Sequence, residues 1–287
     1  MEDDGFTLVR RRGRARRTPA PRSKHDSKPT EANRDPILSK TNIQRLLYND
    51  VDDDSPSPEE TARRIKAIQA NLDNLAEQHD TKIYLDRATK VVQDALKEFS
   101  PIKDIVCYGI GSLAHNRDSK LQFLFLRSLV SSLQIPGHVY IYDPVFKPVE
   151  IAVCDAYHIE WINDNEECKR LVHDTTLFYM PHCEKFMYHN LFQANWKQCR
   201  GLSKVVYIGN DTERYLDVLS RKESAEFPLF SKASHVYHKV PLPLFHKHDR
   251  AFHGSYLHIP VNHSHDEIAG EIETTETPGL MLSSAQA

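Results

Sequence analysis

Four short apolar runs, each ending at a turn residue, limit what this chain can fold into. Ile105-Val106-Cys107-Tyr108 leads into Gly109-Ile110-Gly111-Ser112, and Val139 to Tyr142 leads into Asp143-Pro144. Leu177 to Met180 leads into Pro181-His182-Cys183, and Val205 to Ile208 into Gly209-Asn210. An unbroken apolar run of this length has no polar face to show to water. It therefore reads as a strand covered on both sides, as in a parallel sheet.

Stretches with helical spacing separate the runs. Ser57-Pro58-Glu59-Glu60 predicts a helix start with Ser57 as cap, Pro58 in the first turn and Glu60 as capping-box partner. Ile65, Ile68, Leu72 and Leu75 give that helix one apolar face. A second helix carries Ile83, Ala88, Val91, Val92, Ala95 and Phe99 inward and stops at Ser100-Pro101. A third, read as capped by Ser119 with Gln122, is apolar nearly all round, so it should be deeply buried. Helices are also expected over Glu184 to Trp196 and Thr212 to Leu219, and a last strand over Ser234 to Val240. Between 150 and 175 the pattern suggests a strand near Ile151 to Val153 and a helix around Cys168 to His173. Strands alternating with helices predict an α/β fold: an open, Rossmann-like, mostly parallel sheet with two helices ahead of its first strand and disordered tails.

Composition places the boundaries. Residues 1–57 are read as a disordered region, first basic and then acidic, with six arginines between Arg10 and Arg17 and an acidic run at Asp52 to Asp54. Residues 58–262 form the α/β domain, and residues 263–287 a disordered tail. The arginines fit a solvated tail, a nuclear import signal, or a contact with RNA or a phosphoprotein. The net charge of −3 gives the whole chain no general attraction for nucleic acid or anionic lipid. The five cysteines are odd in number and lack C-x-x-C spacing, which excludes a zinc ribbon and fits a reducing compartment. No apolar run approaches the ~18 residues that span a bilayer. A cytoplasmic protein is expected, with nuclear entry as the sharper reading of the arginine run.

In open parallel sheets, ligands sit beyond the carboxyl ends of the strands. Candidate ligand-binding residues there are Gly109, Gly111, Ser112, Asp143, His182 and Asn210. Gly109-x-Gly111-x-x-Ala114 formally matches a nucleotide-binding fingerprint, in which glycines let the backbone approach a phosphate or ribose. Asp143, at the end of the next strand, could accept hydrogen bonds from ribose hydroxyls, a pairing also found in methyltransferases that use S-adenosylmethionine. The alternative is that the glycines only permit a sharp turn. His182 is a candidate acid or base, and Cys183 beside it reads as a small buried group. His246-x-His248 and His263-x-His265 could each offer two ligands from one strand face, or be surface histidines titrating near neutrality. No complete catalytic signature is present, no metal site is assigned, and the residues name no cofactor.

The most specific segments follow one another in a fixed order. They are Cys107-Tyr108-Gly109-Ile110-Gly111-Ser112, Tyr142-Asp143-Pro144-Val145-Phe146 with Glu150, and Tyr179-Met180-Pro181-His182-Cys183. Tyr188-x-Asn190-Leu191 with Asn195-Trp196, and Tyr207-Ile208-Gly209-Asn210, complete the series. This order resembles the "sensitivity to red light reduced" (SRR-like) family across about residues 90–240, and the Phe6 to Arg17 segment resembles its animal members. The chain departs from the family where a histidine-tryptophan pair is usual: His235 is present, but the aromatic is Tyr237. The resemblance implies a regulator of circadian-clock input and, for animal members, of haem biosynthesis, with no reaction established for the family. Two expectations follow. One is a regulatory scaffold working through protein partners. The other is an enzyme or sensor for a nucleotide-like ligand such as S-adenosylmethionine, with His182 and His235 as acid or base.

Overall fold

The computed structural model describes residues 56–196 and 202–261. The expected tails, with the Arg10–Arg17 run and the His263/His265 pair, lie outside the described residues.

α1 (Pro58–Ala76) starts where the sequence marks it, with Ser57 Oγ accepting the Glu60 N–H at 3.2 Å. The Glu60 carboxylate does not turn back to complete a capping box; it pairs with Arg64 at 2.5 Å. α2 (His79–Leu96) buries Tyr84, Leu85, Ala88, Val92 and Leu96. Ile83, expected inside, is exposed. β1 (Asp104–Tyr108) follows, then α3 (Arg117–Leu133). The cap of α3 is Asn116, whose side chain accepts the Asp118 N–H at 2.8 Å, and not Ser119. Asparagine caps as well as serine does, and starting earlier lets Ser119 and Gln122 sit inside the first turns.

β2 (Val139–Tyr142) leads to α4 (Pro148–Ala156), which replaces the strand expected at Ile151 to Val153. Pro148 suits a first helical turn, and the Glu150 carboxylate holds the Lys147 N–H at 2.9 Å. The short β3 (Glu160–Trp161) went unrecognised in the sequence. The helix expected from Cys168 to His173 does not form. Glu167 and Cys168 have φ of 49° and 61°, a left-handed backbone that no α-helix tolerates.

β4 (Thr176–Met180), α5 (Lys185–Asn195) and β5 (Val205–Asn210) match expectation closely. Three short helices follow, α6 (Glu213–Val218), α7 (Arg221–Glu226) and α8 (Leu229–Ser234), and then β6 (Tyr237–Pro241). A strap, residues 242–254, carries a 3-10 turn at His246–His248 and α9 (Asp249–Phe252). It ends in β7 (Ser255–Pro260), a strand the sequence reading did not separate from its surroundings.

The seven strands form one sheet in the order β3-β2-β1-β4-β5-β7-β6. β1 to β5 run parallel; β7 is antiparallel to both its neighbours. Successive side chains alternate between faces, so each strand feeds two cores. Ile105, Cys107, Leu177, Tyr179, Val206 and Ile208 face α1 to α4 and the strap. Val106, Tyr108, Phe178, Met180, Val205 and Tyr207 face α5 and the short helices around Phe230.

Candidate functional site at the carboxyl end of the sheet

The order β2-β1-β4 makes the chain reverse its winding direction between β1 and β4, and the crevice of an open α/β sheet lies at such a point. The glycine loop after β1 sits there. Gly109 and Gly111 have φ of 73° and 76°, a region that favours glycine. Both are also tightly enclosed. A Cβ on Gly109 would stand 2.9 Å from Cys183 Sγ, and one on Gly111 would stand 2.8 Å from Ser119 Oγ.

The polar side chains of the crevice bind the protein itself. Asp143 is buried and accepts the Gly111 N–H at 2.6 Å and the Val145 N–H at 3.0 Å. Glu150 Oε1 accepts both the Ser112 hydroxyl at 2.7 Å and the Ala114 N–H at 3.2 Å. Two buried carboxylates thus hold the glycine loop through backbone N–H groups, which keeps their charge satisfied away from water.

Across β4 and β5 the partners are neutral. The Asn210 amide donates to the Cys183 carbonyl at 3.0 Å and to Tyr215 Oη at 2.9 Å. Tyr188 Oη donates to the Met180 carbonyl at 2.6 Å and accepts the Asn210 N–H at 2.9 Å. Cys183 is buried, its thiol lies 3.4 Å from the Tyr108 carbonyl, and burial pushes its pKa well up, so it is no ready nucleophile. His182 is exposed, with φ of 55° and its Nε2 3.3 Å from the Ala251 carbonyl of the strap.

Six sequence candidates therefore share one end of the sheet: Gly109, Gly111, Ser112, Asp143, His182 and Asn210. His235 does not join them. It precedes β6, whose first residue, Tyr237, pairs with Pro260 at the far end of β7. β7 begins opposite Asn210, so His235 lies at the amino ends of the parallel strands. His182 and His235 cannot serve one reacting centre as acid and base, because the length of the sheet separates them. His246 and His248 sit in a 3-10 turn, not on one strand face. No group of three or more His, Cys, Asp or Glu side chains among the described residues could hold a metal ion.

Several organising residues escaped sequence reasoning. Glu166 takes a two-pronged contact from Arg170, at 2.9 and 2.7 Å, and the Tyr108 hydroxyl at 2.5 Å. Asn195 is buried, accepts the Val172 N–H and donates to the Arg170 and Leu191 carbonyls. Asn195 stands in one of the family-like segments, at an inward helical position, but no role is read from it there, and Glu166 gives no sequence signal. Tyr142 and Trp161 stack with ring centres 5.2 Å apart, and Phe146 and Trp161 at 5.6 Å.

An open seven-stranded α/β sheet with a glycine loop at its switch point defines a Rossmann-like protein. The chain belongs to the SRR1 domain family, whose model matches residues 70–259. It is 35% identical over 132 residues to the SRR1-like protein of Mus musculus, covering 45% of this chain and 53% of the mouse protein. It is 32% identical over 117 residues to the protein SENSITIVITY TO RED LIGHT REDUCED 1 of Arabidopsis thaliana, covering 40% of this chain and 42% of the plant protein. The SRR1-like protein of Drosophila melanogaster is 26% identical over 229 residues, covering 74% of this chain and 82% of the fly protein. The matched segments thus span about half the length of the mouse relative and less of the plant one. The solved 23S rRNA methyltransferase ErmE matches 65% of this chain and 74% of its own at 12% identity, with a TM-score of 0.36. No helix among the described residues is long and apolar enough to cross a membrane.

Proposed function

We propose that this chain is a regulatory protein linked to light or clock input, acting through protein partners, with its α/β domain as a braced scaffold. The observation that carries this reading is the state of Asp143. The acid placed to receive a ribose is only 4% exposed, and both its oxygens hold backbone N–H groups of the domain itself. The separation of His182 from His235 supports the same reading, since the two candidate acid-base groups have no common substrate position. The family's plant member, whose name refers to red-light sensitivity, supports the regulatory side. Control of haem biosynthesis is the second output that this reading carries.

The test is rescue in cells lacking the protein. His182→Ala and His235→Ala, expressed at normal abundance, should restore a rhythmic reporter as the unaltered chain does. Loss of rescue by His182→Ala at normal abundance would reverse the reading in favour of catalysis. A nucleotide- or S-adenosylmethionine-binding enzyme is the second reading. The left-handed glycines at the β1/β4 switch point favour it. It requires the Gly111–Asp143 contact to open when the ligand enters.

A further inference from the structure

The strap between β6 and β7 reaches the carboxyl end of the sheet at His182. Two of its rings anchor it. Phe245 stacks on Tyr84 with centres 4.5 Å apart, and Phe252 packs on Tyr84 at 4.5 Å and on Phe125 at 5.7 Å. Between the anchors the strap is tied by polar contacts. The Ala251 carbonyl accepts the Gln122 amide at 2.8 Å and lies 3.3 Å from His182 Nε2. Lys247 pairs with Asp80 of α2 at 2.5 Å, and Arg250 stands 4.0 Å from Asp118 of α3.

One further tie differs from these in kind. Arg117 Nη2, at the start of α3, stands 3.2 Å from His248 Nε2, and the same nitrogen donates to Gln78 Oε1 at 2.8 Å. A guanidinium has only donors and keeps its proton at any ordinary pH. His248 Nε2 is therefore the acceptor, which fixes the ring as neutral with its proton on Nδ1. Protonation turns that acceptor into a donor and sets two cations face to face. The charges around the ring are Arg117 and Asp118 of α3, Asp80 of α2 and Lys247 of the strap, and the uncharged Phe245 ring lies edge-on at 5.0 Å. Burial, Arg117 and Lys247 outweigh the two aspartates and hold the pKa of His248 below the ordinary histidine value. The other histidine contacts of the strap do not invert in acid. His182 donates to the Ala251 carbonyl in either charge state, and a protonated His253 strengthens its contact with Asp249, 3.0 Å away.

We propose that the Arg117–His248 contact is a proton-operated latch: the strap is closed while His248 is neutral, and its 3-10 turn opens when the ring takes up a proton. The closed state is favoured above pH ~6.5, where a free histidine is neutral, and gives way as pH falls through the lowered value of the latched ring. The latch adds a conformational input to the domain and does not depend on the regulatory reading.

Hydrogen–deuterium exchange of the full chain tests it, followed by mass spectrometry across acid to neutral pH and corrected for intrinsic amide chemistry. The turn is closed by the His248 N–H on the Phe245 carbonyl at 2.8 Å. Peptides covering residues 246–251 should exchange faster below pH ~6.5, by up to about tenfold per pH unit. His248→Gln keeps an acceptor for Arg117 without a titrating ring and should flatten that response. His253→Gln should leave it in place. Peptides from β1 report global unfolding and should not follow the strap. No acceleration in the strap, acceleration that survives His248→Gln or is lost in His253→Gln, or a matching acceleration in β1 would each overturn the proposal. Such a failure leaves the regulatory reading standing, because that reading is tested by rescue.

Discussion

The two faces of the sheet draw on alternate residues of the same strands, yet they differ in how far their buried hydroxyls and amides find partners. Under α1 to α4, the hydroxyls of Tyr84, Thr81, Thr89, Ser119 and Tyr179 are buried without a hydrogen-bond partner among the described residues. That face is held by close-packed rings and aliphatic chains, such as Phe125 against Tyr179 and Phe252 at 5.6 and 5.7 Å. Under α5 to α8, Tyr188, Asn195 and Tyr207 each spend their polar atoms on partners, while Tyr237 Oη and His189 Nε2 are buried without one among the described residues. Volume shapes the first face, and directed bonds shape the second. Bonds fix loops where packing alone leaves them free, which is why the 162–175 segment can follow an irregular path over the second face.

Mutations that remove volume from one face and bonds from the other would break or sharpen this contrast. Phe125→Ala should have the largest effect, a loss of about 4 kcal/mol from transfer and cavity terms together, read by chemical denaturation.

His258 comes next, because it is, with Tyr237 and His189, one of the places where the second face supplies no bond among the described residues. It is 1% exposed, stacks on Tyr207 at 3.9 Å, and neither ring nitrogen has a hydrogen-bond partner among the described residues. Burial pushes its pKa down to about 3. The unfolded chain takes up this proton near pH 6.5 and the folded chain does not. Its contribution is therefore fully present above pH 6.5 and drains away as pH falls toward 3, on the order of a few kcal/mol. His258→Phe should flatten the stability profile across that window; an unchanged slope would place the loss elsewhere.

The hydroxyl pair gives the sharpest comparison. Tyr188→Phe strips a donor from the Met180 carbonyl and an acceptor from the Asn210 N–H, and should cost about 2 kcal/mol. Tyr179→Phe removes an oxygen with no hydrogen-bond partner among the described residues and should change stability by less than about 1 kcal/mol, with either sign. If the two variants melt together, the faces are not different in kind.

Much of the fold was readable because each parallel strand announces itself as an apolar run with a turn behind it. β1, β2, β4 and β5 all lie where the runs predict. β3 was missed because two residues are too few to show a period, and α4 was misread because Ile151 to Val153 is apolar in either conformation. β7 was missed for another reason: Tyr256 and His258 are polar residues facing a buried aromatic core, so the run looks interrupted. At the site, residue types at strand ends pointed to the right end of the sheet. What they did there was hidden, since whether an aspartate faces a ligand or a glycine N–H depends on contacts 32 residues apart. His235 was misplaced for the same reason: its position depends on the direction of β6, which only the unrecognised β7 determines.

The interposed β7 also sets a rule for synthesis. β5 and β6 are both made before the strand that joins them, and β7 pairs with β5 through Ser255–His258 and with β6 through Tyr256–Pro260. A nascent chain stopped before Ser255 therefore presents two open strand edges with a strand-wide slot between them. Open edges recruit other chains, so the last strand works as a molecular seal, and a shortened product should be lost to aggregation even though most of its core residues are already present.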